Sequence, residues 1–308
     1  MNDLRTAVEE YLAVRRKLGF KLYQPGNLLH NFVLFAEQEG ASFITTELAL
    51  RWATQPKDSQ PVWHATRLGV IRRFAKYRSA ADPRTEIPPQ KLLIACYHRK
   101  PPYIYNDDEI KRLIKAAQSL FSPKGLRAFT YSTLFGLLAV TGMRVKEAIG
   151  LDRDDVNLTE GILTVRDSKF GKSRFVPIHP STQKVLQHYA VLRDKICPRL
   201  KSPAFFVPER GVRLTKWSVR WSFIQLSRQI GLRGPNDSHG PRLHDLRHRF
   251  AIQTLIAWYR SGMDVEQNMP KLSTYLGHRH VSDTYWYISA VPELLQLATL
   301  RLTEGERL

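Results

Sequence analysis

AFTYSTLFGLLAVTGMRVKE, residues 128–147, begins with sixteen uncharged positions, Ala128 to Met143, with Arg127 on one side and Arg144 on the other. Such a run is shorter than the ~20 apolar residues a helix needs to cross a bilayer. It therefore reads as a helix buried on all sides by protein. Gly142 ends that helix and Arg144 stands where a new element begins. A guanidinium behind so long an apolar run is costly to bury unless an anion or a carboxylate pairs with it. Glu147, three residues on, is one such partner.

Downstream the pattern changes. Ile162-Leu163-Thr164-Val165 and Arg174-Phe175-Val176-Pro177-Ile178 flank the turn-like Lys169-Phe170-Gly171-Lys172, which predicts a hairpin, with a third strand around Val156 to Leu158. Helical spacing returns at about 181–196, 215–230, 243–261, 271–276, 283–289 and 292–303. In the third of these, His244-Asp245-Leu246-Arg247-His248 puts residues 244, 247 and 248 on one cationic face. Two histidines four apart also suit zinc, but Arg247 lies between them and the acid of an HExxH site is missing. A solvated helix surface accounts for the pentapeptide as well as a functional site does. Leu276-Gly277-His278 follows, and nine residues beyond His278 comes Tyr287, inside Thr284-Tyr285-Trp286-Tyr287-Ile288-Ser289. Aromatic clusters are more often core than catalytic.

Upstream, residues 1 to about 80 are helical throughout. Leu4, Val8, Tyr11, Leu12 and Arg15 recur at spacings of three and four, as do Leu28, Phe32 and Phe35. Thr45-Thr46-Glu47 is a helix start, and beyond Pro61 a further helix carries Leu68, Ile71, Phe74 and Tyr77 on one side. Four short helices make a small bundle. From Gln60 to Lys100 there are nine Lys/Arg against two acids, and Arg67, Arg72, Arg73 and Lys76 are candidates for a phosphate-facing surface. A merely solvated face is the plainer account of the same run. Asp82-Pro83, Pro88-Pro89 and Pro101-Pro102 mark an extended linker at 85–103, between domains at 1–84 and 104–308. Asn106 with Glu109 resembles a capping box, and Ile110, Leu113, Ile114 and Ala117 give its helix an apolar stripe.

The whole chain of 308 residues suits two domains, and 43% hydrophobic residues exclude disorder as its main state. Its 47 Lys+Arg against 28 Asp+Glu leave a formal charge of +19. That excess calls for a polyanion, and nucleic acid fits better than a membrane because no basic amphipathic tail or terminal anchor stands out. Cys96 and Cys197 make no CxxC pair, so neither a disulfide framework nor a structural zinc site is expected. The opening MNDLRTAVEE has no apolar segment of a signal peptide, and a cytoplasmic, nucleoid-associated protein of bacterial type is expected.

Taken in order, Arg144 in TGMRVKE, a lysine in a basic hairpin, HxxR in HDLRH, LGH, and a tyrosine nine residues beyond that histidine resemble the tyrosine recombinase (phage integrase) family, over about residues 100 to 303. Five separated motifs in the right order seldom arise by chance. PPYIYNDDEI, LSTYLGH and DTYWYIS look closest to integrases carried on mobile elements. The resemblance implies a mainly α fold with a small antiparallel β-sheet (α+β): a helical, SAM-like core-binding domain followed by the catalytic domain. It implies that Arg144 and Arg247 clamp the scissile phosphate, that His244 handles the nucleophile's proton, and that His278 hydrogen-bonds the phosphate. Lys169, with Lys172 as its rival, matches the acid for the leaving 5′ oxygen, and Glu147 a supporting acid. Tyr287 matches the nucleophile. Tyr285, about 200° away around the helix, is expected in the core. Lys172 and Arg174 join the candidate DNA contacts.

These residue types suit the reaction. A phenol of pKa about 10 needs cations around the phosphate, and a base, to react near neutral pH. The same cations stabilise charge gathering on the phosphoryl oxygens. No cofactor is expected: there is no carboxylate cluster for two metals and no GxxxxGK[ST] loop, and exchange of one phosphodiester for a 3′-phosphotyrosyl bond needs no ATP. The resemblance further implies double-stranded DNA held in a C-shaped clamp, a Holliday junction, and a homotetramer on paired sites, with or without sister recombinases. It also implies a helix over 292–303 that docks into a neighbouring protomer, though that helix could simply cap its own domain. The rival readings are a type IB topoisomerase-like enzyme, a DNA-binding regulator without catalysis, and a metal nuclease built on His244, His248 and His278.

Overall fold

The computed structural model describes residues 3–94, 101–166 and 173–305. The chain divides into two compact units, Met1–Lys100 and Pro101–Leu308. The first is a bundle of α1 (Asp3–Lys17), α2 (Tyr23–Gln38), α3 (Thr46–Thr54) and α4 (Pro61–Arg78). Leu4, Val8, Leu12, Phe32 and Phe74, positions the three-and-four spacing marks, are fully buried in its core, and Trp52 of α3 joins them. The Thr45 hydroxyl accepts from the N–H of Leu48 at 3.1 Å and starts α3.

Two expectations change in this unit. Arg67, expected on the phosphate-facing surface, is instead buried: its guanidinium lies 3.8 Å from the centre of the Trp52 ring, and it donates to the Trp52 carbonyl at 2.6 Å. An aromatic face and a carbonyl hold the cation inside, at the cost of its hydration. Arg73 and Lys76 are exposed, whereas half-buried Arg72 donates to the Pro88 and Pro89 carbonyls at 2.8 and 2.6 Å. The start of the expected linker is thereby tied to the bundle. Glu86 adds to this, accepting from the Thr46 N–H at 2.7 Å and donating its own N–H to the Ile44 carbonyl at 2.8 Å.

The second unit begins with α5 (Asp107–Gln118), whose capping box is formed: Asn106 and Glu109 exchange side-chain to backbone hydrogen bonds of 2.8 Å each. The uncharged run becomes α6 (Leu126–Thr141), and α7 (Val145–Gly150) follows. Strands β1 (Val156–Asn157), β2 (Ile162–Val165) and β3 (Arg174–Pro177) pair antiparallel in that order, with Leu163 opposite both Val156 and Val176. Then come α8 (Pro180–Ile196), α9 (Lys216–Gln229), α10 (Leu243–Arg260), α11 (Val265–Leu276), α12 (Ser282–Ala290) and α13 (Pro292–Gly305). The α11 helix starts before Pro270 rather than after it. Asp264 caps it through the Gln267 N–H at 2.9 Å, and buried Val265, Met269, Leu272 and Leu276 outweigh the one backbone donor that proline lacks. One apolar core joins α5, α6, α8, α9 and the sheet, and another joins α10 to α13. No helix among the described residues is long and apolar enough to cross a membrane.

Candidate active site

The site grows from the two ends of α6 and α11. Gly142 closes α6 with φ of +61°, and a Cβ there would meet the Phe250 ring at 2.7 Å. Arg144, two residues on, caps α7: its N–H donates to Glu147 Oε2 at 2.9 Å and its Nη1 to Glu147 Oε1 at 2.7 Å. The same carboxylate takes a two-pronged bond from Arg174 on β3, at 3.1 and 2.8 Å. Burial works to raise the Glu147 pKa, but Arg174 and Arg144 outweigh it and hold it down to about 2. Glu147 is thus an ionised counter-charge shared by two arginines. Arg174, expected on DNA, is instead nearly enclosed, with 9% of its side chain exposed.

At the C-terminal end of α11 three consecutive carbonyls each accept from a different arginine. Tyr275 takes Arg174 Nε at 2.7 Å, Leu276 takes Arg247 Nη2 at 2.6 Å, and Gly277 takes Arg144 Nη2 at 3.1 Å. Carbonyls at a helix end lack partners within the helix and carry partial negative charge, so they attract cations. Arg247 also donates to the Gly142 carbonyl at 2.9 Å, which joins the ends of both helices. Its pKa is lowered to about 10 by burial first and Arg144 second, and it remains charged at neutral pH. Gly277 has φ of +68°, and a Cβ on it would lie 2.8 Å from Arg174 Nη1. No side chain fits where the arginines converge.

His278 leaves this turn and its Nδ1 pairs with the Thr284 hydroxyl at 2.7 Å. On α12, Thr284 and Tyr287 face inward with 0% and 1% exposure, whereas Tyr285 is 42% exposed. Tyr285 is therefore not in the core: with Tyr287 turned in, a residue about 200° away is carried out to solvent. The Tyr287 ring stacks on His278, centroids 6.4 Å apart, and its hydroxyl is 3.0 Å from His248 Nδ1. His248 in turn meets His244 edge to face at 4.7 Å. Among the described residues no three His, Cys, Asp or Glu side chains are grouped so as to hold a metal ion.

His244 lines a cavity of about 470 Å³ with Arg144, Lys146, Lys216, Arg220, Arg233 and Arg242. Part of its ring is open to that cavity, yet the surrounding protein strips enough solvation, with Arg247 adding to the effect, to push its pKa down to about 4. Without DNA it is a neutral imidazole. An NMR titration is expected to find its midpoint near 4, and a midpoint at the ordinary 6.5 would contradict this electrostatic picture. Four of these cations, Lys216, Arg220, Arg233 and Arg242, were not singled out from sequence. Lys216 and Arg220 lie four apart on α9, and Arg233 and Arg242 come from the stretch after it, so no single motif marks all four. On α9, between and beside two of them, Trp217 and Trp221 stack in parallel at 6.5 Å and are 73% and 46% exposed. Lys169 and Lys172 lie outside the described residues.

Comparison with known proteins follows the same line. The profile of the phage integrase family matches residues 104–293. A Sinorhizobium fredii protein designated integrase/recombinase y4rB is 49% identical over 306 residues, covering 98% of each chain. The Tn1549 transposon integrase in complex with transposon right end DNA superposes with a TM-score of 0.67 at 14% identity, over 98% of this chain and 99% of that one. A lambda integrase tetramer bound to a Holliday junction gives 0.60 at 19% identity, over 90% and 77%. At such identities the two structures speak for the fold, and the fold is the expected one. Near full-length identity of 49% and a profile spanning most of the second unit carry the assignment: the chain belongs to the phage integrase family and is a tyrosine-type site-specific recombinase.

Proposed function

We propose that Tyr287 attacks a DNA phosphodiester seated between Arg144 and Arg247, forming a 3′-phosphotyrosyl bond and releasing a 5′ hydroxyl that Lys169 protonates. The observation that carries this reading is the seating of Arg144 and Arg247 on adjacent carbonyls, with the Tyr287 ring stacked on the histidine that follows them. Guanidinium groups suit the clamp because each offers planar, paired donors to non-bridging oxygens. His278, braced by Thr284, and His244, beside Arg144 in the cavity, supply further hydrogen bonds to the phosphate. Glu147 orients Arg144 rather than moving a proton. The cations lining the cavity, with exposed Arg73 and Lys76 on α4, carry the flanking DNA backbone. A 5′ hydroxyl from a partner strand then reverses the step, and the phosphodiester is rebuilt without ATP.

The assembly is a homotetramer on two paired DNA sites, acting alone or with sister recombinases. The lambda integrase tetramer on a Holliday junction supports this by fold likeness. On α13, Leu294 is buried in the unit's own core while Leu295 and Leu300 are 47% and 53% exposed, which leaves an apolar face for a neighbouring protomer.

The test is covalent capture. Nicked duplexes of random sequence are incubated with the protein in excess chelator, and SDS-stable complexes are isolated, sequenced and amplified. The expected product is protein linked to a 3′ end, formed equally with and without chelator. Binding without adduct would mark a non-catalytic regulator, and relaxation of any plasmid without a recombinant product would mark a topoisomerase.

A further inference from the structure

We propose that His248, one helical turn beyond His244, is the group that takes the Tyr287 proton as the phenol attacks phosphorus. This rests on the reading of Tyr287 as nucleophile, and it moves the nucleophile's proton from His244, to which the family resemblance gives it, to a histidine so far given no part in that reading. The Tyr287 hydroxyl and His248 Nδ1 are 3.0 Å apart, within the reach a general base needs, and the two residues are 1% and 5% exposed. The imidazole is fixed on three sides by rings: His244 at 4.7 Å, Tyr287 at 5.5 Å and Trp286 at 5.8 Å between centroids. With the neutral ring's proton on Nε2, Nδ1 accepts from the phenol. His244 lines the cavity with Arg144 and so faces the phosphate, which separates the tasks of the two histidines.

The step balances. The O–H bond of Tyr287 breaks and its proton passes to His248 Nδ1. The phenolic oxygen forms the new bond to phosphorus, the bond from phosphorus to O5′ breaks, and O5′ leaves with that electron pair and takes a proton from the hairpin acid. On religation His248 returns its proton to Tyr287. A cationic His248 would stand beside Arg247 of its own helix, with His244 on the same face, Tyr287 on α12 and His278 in the turn before it. Negative charge growing on the phosphoryl oxygens offsets that cluster, so proton transfer accompanies attack rather than preceding it.

The experiment compares wild type, His248→Asn and Tyr287→Phe on duplexes recovered by the capture described above. Asparagine keeps an acceptor near the Nδ1 position but cannot hold a proton. His248→Asn is expected to bind the duplex as wild type does while forming adduct about a hundredfold more slowly at neutral pH. The deficit should shrink as pH rises and more of the phenol is ionised without a base. Replacing Tyr287 with the more acidic difluorotyrosine should restore much of the rate to the variant and little to wild type. Adduct formation by His248→Asn at or above the wild-type rate overturns the proposal, as does a deficit that neither pH nor the acidic phenol relieves. Nitrogen NMR supplies a readout with residue 248 unchanged: a His248 Nδ1 signal indifferent to Tyr287→Phe overturns it too. Wild-type adduct that Tyr287→Phe abolishes keeps the nucleophile assignment whatever residue 248 does. A wild type without adduct sinks both.

Discussion

Tyr287→Phe is expected to abolish the covalent complex entirely while leaving DNA affinity and the fold in place. The variant loses one oxygen, the atom that the proposed attack joins to phosphorus. Its structural cost includes the hydrogen bond to His248, about 1 kcal/mol, while the ring's stacking on His278 and its packing beside Trp286 persist. Tyr285 cannot replace it, since it projects to solvent from the opposite side of α12. Tyr285→Phe is accordingly expected to form adduct at the wild-type rate. The check is an SDS gel beside a native binding gel on the same duplex, and adduct surviving in Tyr287→Phe would refute the assignment.

Glu147→Gln is expected to cost about 3–5 kcal/mol of stability, because the amide leaves nearly enclosed Arg174 and half-buried Arg144 without their counter-charge. Arg144 and Arg174 both lose their charge-assisted bonds, and a displaced Arg144 should lower adduct formation by roughly a hundredfold, as misplacement by about 1 Å does elsewhere. The pH dependence follows from the depressed carboxyl. Its pKa is about 2 in the folded protein against an ordinary 4.5, so the unfolded chain binds the proton first on acidification. The ion pairs contribute about 3 kcal/mol above pH 4.5, and this is lost as pH falls from there toward 2. Denaturant unfolding of wild type at several pH values should show that loss on the acid side, and Glu147→Gln should lack it. A variant as stable and as acid-sensitive as wild type would be incompatible with the shared carboxylate.

Much of the fold was legible because its signals are local. The Asn106–Glu109 box, the glycine after α6, the two-residue strand pattern and the apolar spacing of α1 and α4 each depend on a few neighbouring side chains. The candidate site was legible as an ordered set of motifs. What escaped has a physical cause in each case. Arg67 reads as a surface cation because nothing in its sequence neighbourhood announces that Trp52, from another helix, receives it. Arg174 reads as a DNA-facing cation in the sequence because its seat, a backbone carbonyl and a carboxylate, lies far away along the chain. Helical spacing puts His248 on one face with His244 and Arg247, but which of the two histidines meets the phenol depends on how α12 packs on α10. The cationic cavity draws on segments that only folding brings side by side.

The row of carbonyls at Tyr275, Leu276 and Gly277 bears on how such a site tolerates drift. Main-chain oxygens are present whatever residue is encoded, so the seats of Arg144, Arg174 and Arg247 survive exchange of the side chains at 275 and 276 for others that fill the same space. Only position 277 is closed to variation, through its backbone angle and the guanidinium pressed against it. Distant descendants can thus rewrite most of this turn and still hand down the spacing of their cations.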